Sequence, residues 1–314
     1  MSDPPIFVVG CPRSGTSLLR DLLRSHPRIS IPPESHFIPR FFAAWGDPGS
    51  AREAEALARR ILSMRTICRW ELDLEPTDFA SCRSFAEIVE TLFGEFARVD
   101  GKPRWGDKTP AQVESLPTLD ALFPEARFVH ICRDGRDVAV SWSAKSFSPG
   151  NVYRSAAAWR RLVLAGRRDG AALGERYHEL RYETLLEHPS ETMRAVCEFL
   201  GESYTEAMTQ RAKRTVAYGE KQMAQPPEIE AGAGSRWKRE MPLAERAIVE
   251  SVAGDLLGEL GYEVEGLATP IPRRRAARWA TAGVIRSLRD RVRGRRLSPA
   301  NWILELRARL RAAI

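Results

Sequence analysis

The sequence predicts an α/β protein built on a doubly wound parallel sheet with flanking helices. The first indication is a short apolar run, Ile6 to Val9, which a glycine-containing turn joins to a segment with leucines on one helical face. The second is the run Ala126 to Cys132, which is also followed by a turn and a helix-like stretch. Strands that lead through tight turns into helices are typical of parallel sheets, whose ligand sites lie at the carboxyl ends of the strands.

The first turn has the glycine spacing of a phosphate-binding loop but lacks its lysine. Its sequence is Gly10-Cys11-Pro12-Arg13-Ser14-Gly15-Thr16-Ser17. In a Walker A loop, a lysine at the position of Thr16 contacts the outer phosphates, and the hydroxyl after it holds Mg²⁺. Here Arg13 supplies the positive charge, and the helix start offers backbone N–H groups to an anion. The turn therefore predicts a P-loop-like anion site that needs no metal; a plain strand-turn-helix connection is the alternative.

The second turn repeats this arrangement after the apolar run Ala126 to Cys132. Its sequence is Arg133-Asp134-Gly135-Arg136-Asp137, and Ser141 lies two turns into the predicted helix. The forked guanidinium of Arg133 and the hydroxyl of Ser141 are suited to one phosphate group. A salt-bridged surface turn is the alternative.

Between and after these turns the sequence predicts mostly helices. Ile29 to Pro32 is expected to form a second strand, and Trp70 to Ser81 an irregular connector. Apolar spacing and terminal glycines predict helices over 51–64, 85–97, 155–168, 191–200 and 244–260.

Length and cysteine content favour a cytoplasmic protein with one large domain. The chain has 314 residues, and its first apolar run is too short for a signal peptide or a membrane span. Five cysteines without paired spacing argue against a disulfide framework. Cys11 lies near a helix start, where thiol pKa values fall, so it is either a packing residue or a nucleophile.

The positive charge is concentrated at one end of the chain. The net charge is +7, but residues 270–314 carry +11, which leaves −4 for the rest. Apolar residues recur at helical spacing in this tail, for example Trp279, Leu288 and Trp302. Basic amphipathic helices suit a membrane surface or an acidic partner. Alternatively, the helices pack on the domain and their arginines face solvent.

Taken together, these segments resemble the sulfotransferase family, whose members use 3'-phosphoadenosine 5'-phosphosulfate (PAPS). The first turn is similar to the family's 5'-phosphosulfate loop and the second to its 3'-phosphate site. The order and spacing of the motifs resemble the tyrosylprotein sulfotransferase branch and its bacterial relatives over roughly residues 5–265. Further matching segments are Pro33-Glu34-Ser35 with Ile38-Pro39-Arg40, Trp105 to Pro110, Arg181-Tyr182-Glu183 with His188-Pro189, Phe199-Leu200-Gly201, and Ser235-Arg236-Trp237 with Pro242.

The resemblance implies three catalytic residues. Glu34 matches the family's general base, which takes the proton of the acceptor hydroxyl. Lys108 and Arg13 match the cations that stabilise charge on the departing phosphate oxygen. Cytosolic aryl sulfotransferases carry a histidine base two residues after the lysine, but Pro110 stands there in this chain. The alternatives are a surface-loop glutamate and a lysine that pairs with Asp107.

The resemblance also implies the nucleotide contacts. Ser14, Gly15, Thr16 and Ser17 are expected to surround the 5'-phosphate, and Arg133 with Ser141 the 3'-phosphate. Lys145 and Tyr182 match further nucleotide-binding positions, although Tyr182 is alternatively a core aromatic. Arg236 replaces a lysine of the family, and Lys238 lies close by, so either of them is a candidate phosphate contact.

These matches predict a sulfotransferase domain over 1–269, with a mostly helical acceptor-site insert at about 45–125, and a basic amphipathic extension over 270–314. The predicted reaction moves a sulfuryl group from PAPS to a hydroxyl or phenol without a metal. We expect no nucleic-acid partner, and the acceptor class and the oligomeric state stay open. A P-loop kinase-like phosphotransferase and a non-catalytic nucleotide-binding adapter are the alternatives; the first normally needs Mg²⁺ and the missing lysine.

Overall fold

Five parallel strands form one sheet in the part of the chain that the computed structural model describes, residues 3–143, 145, 148–209 and 235–282. The strand order is β2, β3, β1, β4, β5. Their bounds are β1 Ile6–Gly10, β2 Ile29–Ser30, β3 Arg104–Lys108, β4 Arg127–Cys132 and β5 Tyr177–Arg181. Pairing puts Ile6 beside both Gly106 and Arg127, so β1 is the central strand. The predicted parallel α/β fold is confirmed.

Helices flank this sheet, and those of the described residues include each helix predicted between residues 51 and 260, whereas the helices predicted beyond residue 282 lie outside the described residues. The α-helices are α1 Thr16–Arg24, α2 Ile38–Trp45, α3 Ala51–Leu62, α4 Arg65–Cys68, α5 Phe85–Val99, α6 Leu116–Leu122, α7 Gly135–Ser143, α8 Val152–Ala171, α9 Tyr182–Glu187, α10 Pro189–Leu200, α11 Trp237–Glu240, α12 Leu243–Glu259 and α13 over 273–282. Short 3₁₀ turns lie at Pro76–Phe79, Pro110–Ser115, Gly174–Arg176 and Glu206–Met208.

The strands β3 and β5 were not predicted, because their sequences are polar. β3 lies inside the predicted helical insert and reads Arg-Trp-Gly-Asp-Lys, yet it is buried throughout between β1 and β2. The guanidinium of Arg104 is accommodated by the carbonyl oxygens of Pro4 and Leu200, both at 2.7 Å. Polar groups can be buried when they are hydrogen-bonded. The sequence of β3 can therefore be polar although the strand is buried, and it lacks the apolar run from which a buried strand is predicted.

The two faces of β1 explain how the loop after it is held. Ile6 and Val8 belong to a buried cluster with Leu19 and Leu23 of α1, all of them inaccessible to solvent. On the other face, Phe7 stacks on Phe128 and meets the edge of Trp105. Burial of each such side chain contributes about 1.5–3 kcal/mol. The strand and the helix that enclose the first turn are therefore fixed by packing.

Contacts divide the chain into two units, and the predicted phosphate loops lie in the first, residues 1–138 with 159–240. The second comprises 139–158 and 241–314. Within it, the Trp279 ring of α13 lies 5.7 Å from that of Tyr153, and Asn151 donates to the carbonyl oxygen of Trp279 at 2.7 Å. The beginning of the tail thus packs on the protein.

The rest of the tail, residues 283–314, lies outside the described residues, so its contact with a membrane or an acidic protein stays a prediction. The described helices include none with the length and apolar character of a membrane-spanning segment. A cytoplasmic location also stays a prediction.

Candidate active site

The first turn forms a concave loop of backbone between β1 and α1. Arg13 and Gly15 have φ angles of 78° and 94°, in the left-handed region, and Gly15 caps α1 without a side-chain hydrogen bond. Ser14 is fully buried, and its hydroxyl oxygen has no hydrogen-bond partner among the described residues. Although the Cys11 thiol interacts with the Ser14 hydroxyl, backbone N–H groups at a helix start beside such a buried hydroxyl fit a bound phosphate group.

Tyr182 links this loop to the second turn. The Gly15 Cα lies so close to the Tyr182 ring that a Cβ at position 15 would overlap it. On the ring, the Arg133 guanidinium lies 4.4 Å from the centroid, and its Nη1 donates to the Arg13 carbonyl oxygen at 3.4 Å. The structure therefore brings Arg13, Gly15, Arg133 and Tyr182 together. Tyr182 also packs against the hydrophobic cluster that contains Ile6 and Val8, so both interpretations of Tyr182 stay open.

The second turn contains two of the salt bridges that the sequence left as an alternative: Arg136 pairs with Asp134, and Arg133 Nη2 lies 3.4 Å from Asp137 Oδ2. Arg136 binds both carboxylate oxygens of Asp134, at 3.0 and 2.7 Å, and its guanidinium lies 3.5 Å from the Trp237 ring centroid. The Trp237 backbone N–H donates to Asp137 at 2.8 Å. Burial raises the pKa of Asp137, while nearby Arg133 opposes that rise. Arg133 is the arginine of this turn that faces the loop.

Glu34 and Lys108 form a close ion pair next to the loop. Lys108 Nζ lies 2.5 Å from Glu34 Oε1 and 3.4 Å from the Ser17 hydroxyl. Burial lowers the pKa of Lys108, whereas Glu34 opposes that change. Burial also works against ionisation of Glu34, but His36 and Lys108 outweigh it and lower the pKa of Glu34 to about 2. The Glu34 carboxylate is therefore ionised at neutral pH, and the Lys108 amine lies between it and the loop.

A buried network fixes the backbone on both sides of this pair. Asp107 is inaccessible to solvent and accepts hydrogen bonds from Ser35 at 2.7 Å, Gln112 at 2.8 Å and Thr109 at 3.2 Å. Burial raises the pKa of Asp107, and the three donors counteract it. Lys108 therefore pairs with Glu34, while Asp107 connects β3 to the segment that carries Glu34.

The remaining predicted contacts lie elsewhere in the chain. Ser141 lies in α7 and Lys145 shortly after it, both within the second unit. In the first unit, Arg236 binds Glu240 at 2.9 Å, and Lys238 Nζ lies 5.5 Å from the centroid of the Trp237 ring. The choice between Arg236 and Lys238 stays open.

Of three further features of the structure, only Cys11 was noticed in the sequence. His36 Nε2 lies 2.9 Å from Glu34 Oε2, and only its position two residues after Glu34 could have indicated this. Cys11 is fully buried, and burial raises the pKa of its thiol, which favours the packing role.

The third is a group of potential metal ligands on neighbouring strands, namely His130, Cys132 and Glu179. Glu179 lies 3.3 Å from the imidazole Nδ1, whereas the thiol is nearer to Nε2 at 3.5 Å. Because the carboxylate and the thiol approach different ring nitrogens, the arrangement is that of a hydrogen-bonded chain. The prediction that the reaction needs no metal stays a prediction.

The fold and this loop define a class of α/β proteins that bind phosphate groups between a parallel strand and a helix. The model of the sulfotransferase family matches residues 4–206, and the chain belongs to that family. The "Sulfotransferase Domain from the Curacin Biosynthetic Pathway" superposes with a TM-score of 0.56 at 20% identity, covering 84% of this chain and 100% of that one. At this identity, the likeness supports the fold.

Two relatives with different names resemble this chain over part of their length. Nodulation protein NoeE of Sinorhizobium fredii is 26% identical over 284 residues, 82% of this chain and 65% of that protein. Protein-tyrosine sulfotransferase 2 of Gallus gallus is 30% identical over 214 residues, 65% of this chain and 53% of that protein. The chain thus spans less than two thirds of the length of either relative.

Proposed function

We propose that this protein transfers a sulfuryl group from PAPS to a hydroxyl or phenol, with Glu34 as general base. The observation that carries the proposal is the position of Lys108 Nζ, 2.5 Å from the Glu34 carboxylate and 3.4 Å from the Ser17 hydroxyl. From this position the Lys108 cation can keep the base ionised, and it can also stabilise the charge that develops on the departing phosphate oxygen. The names of the relatives add a protein tyrosine to the candidate acceptors.

Each residue has a defined task in this proposal. PAPS supplies the activated sulfuryl group. The loop from Arg13 to Ser17 would hold its 5' end through backbone N–H groups and hydroxyls. Glu34 would take the proton from the acceptor oxygen as that oxygen bonds to sulfur. Lys108 and Arg13 would stabilise the negative charge that the phosphate oxygen gains when its bond to sulfur breaks.

The same residues argue against the two alternatives. A kinase-like phosphotransferase would ordinarily use the lysine that Thr16 replaces, together with Mg²⁺. An adapter that only binds nucleotide has no need of a carboxylate paired with a buried lysine. Burying a charged lysine is unfavourable in free energy, and ionisable groups that are buried despite this are typical of catalytic sites.

Nucleotide binding separates the sulfotransferase from the phosphotransferase. Calorimetry would compare 3'-phosphoadenosine 5'-phosphate (PAP), ADP and ATP, each with and without Mg²⁺. We expect PAP to bind at least about tenfold more tightly than ADP, because one charge-assisted hydrogen bond accounts for that factor. The affinity for PAP should not depend on Mg²⁺. Tight, Mg²⁺-dependent ATP binding would favour the phosphotransferase.

A further inference from the structure

The two oxygens of the Glu34 carboxylate bind two different side chains. Oε1 accepts from Lys108 at 2.5 Å, and Oε2 lies 2.9 Å from His36 Nε2. Lys108 is almost completely buried, whereas the His36 ring is 50% exposed. Glu34 therefore bridges an interior cation and a histidine that can exchange protons with solvent.

The His36 backbone is held in a conformation that few side chains adopt. Its φ angle is 60°, in the left-handed region, where residues other than glycine are uncommon and where asparagine, aspartate and histidine are the most frequent of them. The backbone N–H groups of Ser35 and His36 both point to the Thr109 hydroxyl, at 3.2 and 3.5 Å. This short turn aims the imidazole back at Glu34.

The charges around His36 determine what its protonation would do. Glu34 lies on the same turn, and β3 contributes Lys108, bound to the other carboxylate oxygen, and Asp107, which interacts with His36 electrostatically. From α1, Arg20 acts on Lys108. A second positive charge on Glu34 makes its carboxylate a weaker base, because it favours the ionised form.

We propose that His36 is a positioning residue for Glu34, which it orients through Oε2 and whose basicity it adjusts through its own charge. This inference rests on the proposed role of Glu34 as general base. Once Lys108 turns to the leaving phosphate oxygen, His36 holds the carboxylate. Neutral His36 leaves Glu34 able to accept the acceptor proton, and protonated His36 weakens it. Turnover therefore falls towards acid pH, where His36 carries its proton.

Two substitutions separate the hydrogen bond from the charge. In His36→Gln, the side-chain amide places an N–H group at about the position of the imidazole Nε2, and this amide cannot become charged. His36→Asn tolerates the left-handed backbone, but its amide is too short to reach Glu34. With 4-nitrophenol as probe acceptor, kcat is measured from pH 5.5 to 8.5 for wild type and both variants, each also combined with Glu34→Gln.

For His36→Asn we expect kcat at pH 8 to fall about tenfold, with the KM for PAPS unchanged, since a charge-assisted hydrogen bond typically accounts for such a factor. His36→Gln should keep most of kcat at pH 8 and lose the acid decline. An unchanged acid decline in His36→Gln would overturn the proposal. The proposal would also be overturned if His36→Asn lowered kcat by the same factor in the Glu34→Gln protein as in wild type, because His36 would then act independently of Glu34. Normal turnover of Glu34→Gln alone would instead overturn the function proposed for Glu34, and this inference with it.

A second measurement needs no acceptor. The ¹³C signal of the Glu34 carboxylate, assigned by its loss in Glu34→Gln, is followed down to pH 3.5. In wild type it should stay ionised, in line with a pKa of about 2. In His36→Asn it should begin to protonate within this range, and in His36→Gln less so. Identical titrations in all three proteins would overturn the proposal.

Discussion

The ring of Tyr182 fills the space that a side chain on residue 15 would occupy, so the phosphate loop and the start of α9 touch without a gap. The Arg133 guanidinium lies over the same ring, 4.4 Å from its centroid. A glycine, a tyrosine and an arginine from three distant parts of the sequence thus form one wall of the site. The position of each depends on the other two.

Gly15→Ala should therefore weaken PAP binding by at least about tenfold, because a left-handed alanine costs about 1–3 kcal/mol even before Tyr182 is displaced. Calorimetry measures the affinity. Gly94→Ala is the matched control: it lies within α5, a Cβ there meets no atom within 4 Å, and alanine should stabilise the helix by about 0.5–1 kcal/mol. Equal PAP affinity in Gly15→Ala and wild type would show that the contact does not shape the loop.

Glu34→Gln should lower kcat by roughly 10²- to 10⁴-fold, the factor that a general base supplies. PAP affinity should change little, because the amide keeps the size of the side chain. Steady-state kinetics and calorimetry on the same preparation check both. Turnover near the wild-type rate would assign the base to another residue.

The ion pair also predicts a pH dependence of stability. The pKa of Glu34 in the folded protein, about 2, lies below its ordinary value of 4.5. Its ionised form therefore stabilises the folded state above about pH 4.5, and this contribution is lost as the pH falls towards 2. Since the carboxylate is one-third exposed, we expect about 1–2 kcal/mol after solvent screening.

The measurement is the difference in Tm between wild type and Glu34→Gln at several pH values. The difference should be largest at pH 6 and should shrink towards pH 2.5, because below about pH 4.5 the unfolded wild type binds a proton at Glu34 that folding must release, whereas the Glu34→Gln protein has no such group. A difference that does not vary with pH would contradict the ion pair.

Arg133→Ala should reduce the affinity for PAP about ten- to a hundredfold while changing the affinity for adenosine 5'-phosphate much less. Ser141→Ala should act in the same direction and more weakly, because a hydroxyl forms one uncharged hydrogen bond. Ser143→Ala is the control for Ser141, since its exposed hydroxyl donates to the Val140 carbonyl oxygen in the same helix. Equal losses for both nucleotides would place the 3'-phosphate site elsewhere.

Strong local patterns made much of the fold predictable. β1 and β4 are apolar runs, and α10 ends at Gly201, whose φ angle is 73°. The strand β3 could not be predicted in this way. Its polar side chains are satisfied by groups far away in the chain, such as the Leu200 carbonyl oxygen that binds Arg104.

The same contrast holds for the site. The spacing of Arg13 to Ser17 predicted an anion-binding loop from local sequence alone. The contact of Lys108 with Glu34 joins residues 74 positions apart, and only a family resemblance could suggest it. The approach of His36 to Glu34 requires a left-handed backbone, and only a few per cent of residues other than glycine adopt one, so the sequence around position 36 could not predict it.

The transfer itself is the most direct test of the central claim. Purified protein is incubated with ³⁵S-labelled PAPS and separate panels of phenols, carbohydrates, lipids and tyrosine peptides, and both labelled product and PAP are quantified. Our account predicts that at least one panel yields a sulfated product together with an equal amount of PAP, without added Mg²⁺, and that Glu34→Gln abolishes nearly all of it. Transfer of the γ-phosphate of ATP to an acceptor in the presence of Mg²⁺, with no labelled product from PAPS, would contradict it.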